Sequence, residues 1–188
     1  MNETLTARLA QIVRATPGLM RVLQTARALD LPDWMVFSGA VYQPALNHLT
    51  GRPADHGLKD YDLAYHDASN LSYEAEDAVI RRVAAAFPSD LAPLVEVRNQ
   101  ARVHLWFEAK FGEAGYGPLS CSADALPRFV SASFALGSSR LFASETPLEN
   151  ESQLVTPQTT NRTRSTATPI AIRRPQRTVF SRRAPGPR

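Results

Sequence analysis

Lys59-Asp60-Tyr61-Asp62-Leu63-Ala64-Tyr65-His66 reads as a β-strand following a polar, Gly- and Pro-containing loop over residues 51–58. Side chains alternate along a strand with period 2, so Asp60 and Asp62 fall on one face. Upstream, the apolar run Trp34-Met35-Val36-Phe37 is preceded by Pro32 and ended by Ser38-Gly39, as suits a buried strand. A helix over residues 40–50 can follow, with Pro44 expected in its first turn. Further upstream, Leu5, Leu9, Ile12 and Val13 fall at helical spacing. Thr16-Pro17 then reads as an N-cap with proline at the first position of a second helix that carries Met20, Leu23 and Ala26. Downstream, Ser72 can cap a helix whose first turn holds Glu74, Glu76 and Asp77 and whose apolar face is Val79, Ile80, Val83 and Phe87. Pro88 stops it. Residues 94–104 contain a third strand, with Val95 and Val97 on one face and Glu96 and Arg98 on the other. Residues 112–121 read as a loop and residues 123–130 as a last helix.

Three places in this order can carry chemistry. Asp60 and Asp62 can share divalent cations. Mg²⁺ takes oxygen ligands and keeps waters and substrate phosphates in its shell, so a site with few protein carboxylates is typical of phosphoryl and nucleotidyl transfer. Ser38-Gly39-Ala40, between a buried strand and a helix, is a small-residue turn that lets phosphates approach backbone N–H groups at the positive end of the helix. Glu96, isolated between valines, is costly on a buried face unless it meets a cation or a partner. Each has a plainer reading: D-x-D arises by chance, the turn is an ordinary strand-to-helix connection, and Arg98 pairs with Glu96 structurally.

In sequence order these features converge. The segments Phe37-Ser38-Gly39-Ala40-Val41, Lys59 to Tyr65, and Val95-Glu96-Val97-Arg98-Asn99-Gln100-Ala101-Arg102-Val103-His104-Leu105-Trp106 resemble a bacterial nucleotidyltransferase-like family of the polymerase-β-like nucleotidyltransferase superfamily. The resemblance covers roughly residues 20–137. It implies an α/β (α+β) fold with a small mixed sheet flanked by helices, and Asp60, Asp62 and Glu96 as catalytic ligands of Mg²⁺ or Mn²⁺. It also places Ser38, Gly39 and Ala40 at the phosphates. Arg98, Asn99, Gln100, Arg102 and His104 match the family's signature block, without an assigned role. Of the two metals bound in the superfamily, one helps activate the acceptor hydroxyl and the other stabilises the leaving pyrophosphate. Three departures stand out. Ala40 occupies the place of the usual serine after the turn glycine, Tyr42-Gln43-Pro44 replaces a basic or amide residue opening the helix, and the third carboxylate is Glu rather than Asp.

The formal charge of +3 over 188 residues conceals two different regions. Residues 1–137 hold 12 Lys and Arg against 15 Asp and Glu, whereas residues 138–188 hold 9 against 3. The second region also has six of the 14 prolines, the pairs Arg173-Arg174 and Arg182-Arg183, and no sustained periodicity. This is the composition of a disordered, low-complexity basic tail, or of an arginine-rich arm for a polyanion. The family's Pro-Phe-Gly-Leu-like block and Arg-Pro-Asn ending do not follow Gly137, which points to a reading-frame shift there.

Other classes are excluded. The single cysteine, Cys121, forms no internal disulfide and no Cys-rich zinc site, and His48, His56, His66 and His104 have no zinc-hydrolase spacing. Trp34 and Trp106 read as core residues rather than base-stacking platforms, because both fall in apolar strand or strand-end runs. No apolar run approaches the length of a membrane span, and no signal pattern opens the chain. A soluble, cytoplasmic protein is expected, with no membrane partner. The leading expectation is transfer of a nucleoside monophosphate from an NTP to a hydroxyl acceptor, with no nucleic-acid partner implied by the charge. The alternative is a catalytically inactive nucleotide- or RNA-binding protein on the same fold.

Overall fold

Helix α1 (Leu5–Arg14) begins where the Thr4 side chain accepts the Ala7 amide at 3.1 Å, which satisfies one of the amides a helix start leaves unpaired. This computed structural model describes residues 4–129, 137–139 and 154–155 of the chain. Helix α2 (Pro17–Leu29) has proline at its first position, as expected. Thr16 does not cap it, however: its hydroxyl donates backwards to the Ile12 carbonyl at 2.8 Å and so fastens the end of α1. Strand β1 (Met35–Phe37) is buried throughout. Helix α3 (Gly39–Leu49) starts at Gly39 because Ser38 turns the chain at φ 53°. That start makes Pro44 the sixth helical residue, in the second turn rather than the first. Its missing N–H deprives the Ala40 carbonyl of the usual partner.

Strand β2 (Tyr61–Tyr65) and helix α4 (Tyr73–Ala86) follow the sequence reading, and the Ser72 hydroxyl accepts the Ala75 amide at 3.2 Å. A 3-10 turn, Ala92–Leu94, leads into strand β3 (Val95–Asn99). The expected strand to His104 ends there because the Asn99 side chain accepts the Ala101 amide at 3.0 Å and turns the chain into a 3-10 segment, Gln100–Arg102. Helix α5 (Val103–Phe111) comes next, closed by Gly112 at φ 72°, a left-handed position that glycine takes without steric cost. The last expected helix is a 3-10 helix over Ser122–Arg128. Pro127 inside it has no amide to sustain an α-helical ladder.

The strands form one mixed sheet in the order β3-β2-β1-β4-β5, with β4 at Gly137–Ser139 and β5 at Leu154–Val155. β1 is antiparallel to both β2 and β4, and β2 is parallel to β3. The fold is therefore α+β, a small mixed sheet with helices. Its helix-covered face is built from Val36, Tyr61, Leu63, Tyr65 and Val97, packed with Val22, Leu23, Val41, Val83 and Phe87. The opposite face carries a smaller cluster of Met35, Phe37 and Ala64 under Leu119, Ala125 and Leu126. The Gly137 boundary expected from composition falls inside β4. Ser138, Ser139, Leu154 and Val155 pair in the sheet; the rest of the expected tail lies outside the described residues. Among the described residues, no helix is long and apolar enough to cross a membrane.

Candidate active site

Phe37, Asp62 and Glu96 are register partners across β1, β2 and β3. Neighbouring strands lie about 4.8 Å apart and in-register residues share a face, so the Asp62 and Glu96 side chains stand next to each other. Both are exposed on the face away from the helices, and both line a recess there of about 270 Å³. Asp60 precedes β2, is exposed, and does not line the recess. Among the described residues, no group of three or more His, Cys, Asp or Glu side chains is gathered as a metal cage.

Ser38, Gly39 and Ala40 open α3 at the same end of the sheet, since Phe37 of the carboxylate row immediately precedes them. The Ser38 carbonyl accepts the Val41 and Tyr42 amides, each at 2.9 Å, while its side chain makes no capping bond. The first amides of α3 have no partner within the helix and give this end of the sheet a partial positive charge. A Cβ on Gly39 would meet only the Tyr42 hydroxyl, at 3.9 Å, so backbone approach at this turn is open.

Aromatic rings wall the recess. Phe107 stacks on Tyr116 with ring centroids 4.3 Å apart and touches Phe111 at 4.9 Å, while Phe129 meets Phe37 edge-on at 5.9 Å. Burial raises the pKa of the Tyr116 phenol, and the Arg128 guanidinium lies 4.8 Å over its ring. Trp106 also lines the recess, from helix α5 and half-buried. This corrects its reading as a strand-end core residue, whereas Trp34 is buried in the core as expected. The density of aromatic residues between Trp106 and Tyr116 is the sequence signal for this wall; the unrecognised helix α5 hid it.

The signature block divides into two roles. Arg98 and Gln100 line the recess, and the Arg98 guanidinium donates to the Val97 carbonyl at 2.8 Å rather than pairing with Glu96. Asn99 and Arg102 are buried and point into the body of the domain. The Asn99 amide group donates to the Asp67 carbonyl at 2.8 Å, its oxygen accepts the Asp67 amide at 3.1 Å, and its own backbone N–H donates to Glu76 at 2.9 Å. Arg102 forms an ion pair with Glu76 and donates to the Leu71 carbonyl at 2.9 Å. Glu76, expected only to complement the α4 dipole, is therefore the buried hub that holds the end of β3. His104 is half-buried on α5, with Nδ1 buried and lacking a hydrogen-bond partner among the described residues.

A family described as Nucleotidyltransferase matches residues 24–184. The chain belongs to the nucleotidyltransferase family. An NMR structure that reveals a CCA-adding enzyme head domain is similar in fold, with a TM-score of 0.57 and 22% identity, over 70% of this chain. The chain spans 63% of that chain's length. No curated protein matches it. The two register-paired carboxylates line the aromatic recess at the end of the sheet where the α3 turn begins.

Proposed function

We propose that the chain transfers a nucleoside monophosphate from an NTP to a hydroxyl acceptor, with Asp62 and Glu96 as the central pair and Asp60, exposed just before β2, as a third carboxylate outside the recess. The observation that carries this reading is the register pairing of Asp62 with Glu96 on the open face, one residue from the α3 turn. The donor chemistry fits Mg²⁺ or Mn²⁺. The pair offers hard oxygen ligands, both carboxylates are exposed, and Glu96 has no ion-pair partner among the described residues. When bound, such a cation would polarise phosphoryl oxygens and offset the charge that develops on the pyrophosphate. The protein's part is positional. Amides of Gly39 and Ala40 would hold phosphate oxygens at the helix start, Asp62 and Glu96 would hold the cation, and the recess would exclude water from one side of the nucleotide.

Incubation with α-labelled NTPs, Mg²⁺ and a cell extract tests the reading. Label should pass to an acceptor, and the transfer should stop on chelation with EDTA. Metal-independent NTP binding with no transfer under any condition would support the inactive binding protein instead.

A further inference from the structure

Two guanidinium groups line the recess beside the carboxylate pair, those of Arg98 and Arg128. Neither forms an ion pair among the described residues. Arg98 donates one N–H to the Val97 carbonyl. Arg128 lies over the Tyr116 ring, and a guanidinium stacked by its face keeps its N–H edge for an anion. Asp124, four residues before Arg128, is held by the Ser120 amide at 2.9 Å instead. The rest of the lining is largely aromatic, so the complement of the recess is an apolar ring that carries a negative charge.

The register separates these charges from the place of a triphosphate. The α3 turn follows Phe37, which is in register with Asp62 and, through it, with Glu96. The next row on the same face, away from the turn, is Met35, Ala64 and Arg98. That step of two strand residues is about 7 Å. The amides that suit phosphates therefore lie on one side of the carboxylate row and Arg98 on the other. A nucleoside has no anionic group apart from its phosphates, so it does not answer the two arginines. An acceptor with an anionic group of its own does. The volume of about 270 Å³ is small for a ligand site and suits a single ring. The excess of acids in residues 1–137, 15 Asp and Glu against 12 Lys and Arg, disfavours a polynucleotide acceptor, whose backbone calls for a basic track.

We propose that the recess is the acceptor site and that the acceptor is a small aromatic compound with a hydroxyl at one end and a carboxylate at the other. Arg98 and Arg128 hold the carboxylate, the ring fills the recess, and the hydroxyl lies at Asp62 and Glu96. The proposal rests on the transfer reading above and deepens it. Transfer joins the hydroxyl oxygen to the α-phosphorus and breaks the bond from that phosphorus to the pyrophosphate oxygen. Pyrophosphate leaves with the electron pair, and the hydroxyl proton passes to solvent.

Calorimetry on the full chain with Mg²⁺ tests the site, with para-hydroxybenzoate and the longer para-hydroxyphenylacetate as probes. At least one should bind, and its neutral methyl ester should bind at least about tenfold more weakly. Arg98→Gln and Arg128→Gln should each weaken the acid about tenfold to hundredfold, as expected for a lost charge-assisted hydrogen bond, and leave NTP affinity unchanged. With α-labelled NTPs, label should pass to the acid. Failure of both acids to bind, or equal affinity for acid and ester, overturns the assignment, and label transfer to a component of a cell extract then leaves the transfer reading standing. Loss of NTP binding rather than acid binding in the arginine variants also overturns it, as does transfer to a single-stranded RNA oligonucleotide with none to either acid. A chain that binds the acid but no NTP overturns the transfer reading and the acceptor role together. If the variants do not fold, the comparison of acid with ester on the wild type decides.

Discussion

The two faces of the sheet are made by the same three strands and are opposite in character. On the helix side, Val36, Tyr61, Leu63, Tyr65 and Val97 are buried under α2, α3 and α4. On the other side, Phe37, Asp62, Ala64, Glu96 and Arg98 line the recess. One residue step along β2 separates a core position from a site position. The helix face supplies stability and a fixed register, and that register sets Asp62 beside Glu96. The open face can then carry exposed acids that would be costly in the core. The Glu76 hub joins the two, since it rises from α4 on the covered side and grips the end of β3 from which Gln100 enters the recess.

Substitutions that cut the link between the faces should have the largest effect. Arg102→Met leaves Glu76 charged and buried without its cation. It should cost about 3–5 kcal/mol in urea unfolding, and any protein that remains folded should bind nucleotide poorly. Next, Leu63→Ala opens a cavity in the covered core in which its side chain packs, for about 2–5 kcal/mol. A pH titration sharpens the same contrast. Burial, helped by the charges of Glu76 and Asp67, pushes the Tyr65 phenol up to about 12, against about 10 in the unfolded chain. Between these values the unfolded state releases a proton that the folded state keeps, so stability falls as pH rises through that window. The loss reaches about 3 kcal/mol at its upper end, and Tyr65→Phe should flatten the decline. Smallest is Ser72→Ala, which removes the α4 cap for about 1 kcal/mol and should leave nucleotide affinity unchanged.

The covered face was largely legible in sequence because its signals are local. Alternation along residues 61–65 and 95–98, the Ser72 cap and the 79, 80, 83, 87 spacing each involve residues within a turn or two of one another. The carboxylates of Asp62 and Glu96 were legible for the same reason, together with their order along the chain. Helix α5 was not: Val103, Leu105, Trp106 and Phe107 follow one another without a helical stripe, since this helix has apolar residues on more than one side. Its left-handed stop at Gly112 was the clue available. The Glu76–Arg102 pair is separated by 26 positions, and nothing local marks either residue as buried. Strands β4 and β5 have three and two residues, too few for any alternation to show, so their segment was read from composition alone.

The central claim is that neighbouring residues on β2 divide function from stability. It is tested most directly by measuring nucleotide transfer and thermal unfolding side by side for Asp62→Asn and Leu63→Ala. Asp62→Asn should keep the wild-type melting temperature and lose transfer by about a hundredfold or more. Leu63→Ala should melt lower and, at temperatures where it stays folded, transfer near the wild-type rate. Wild-type transfer by a folded Asp62→Asn protein would contradict the account.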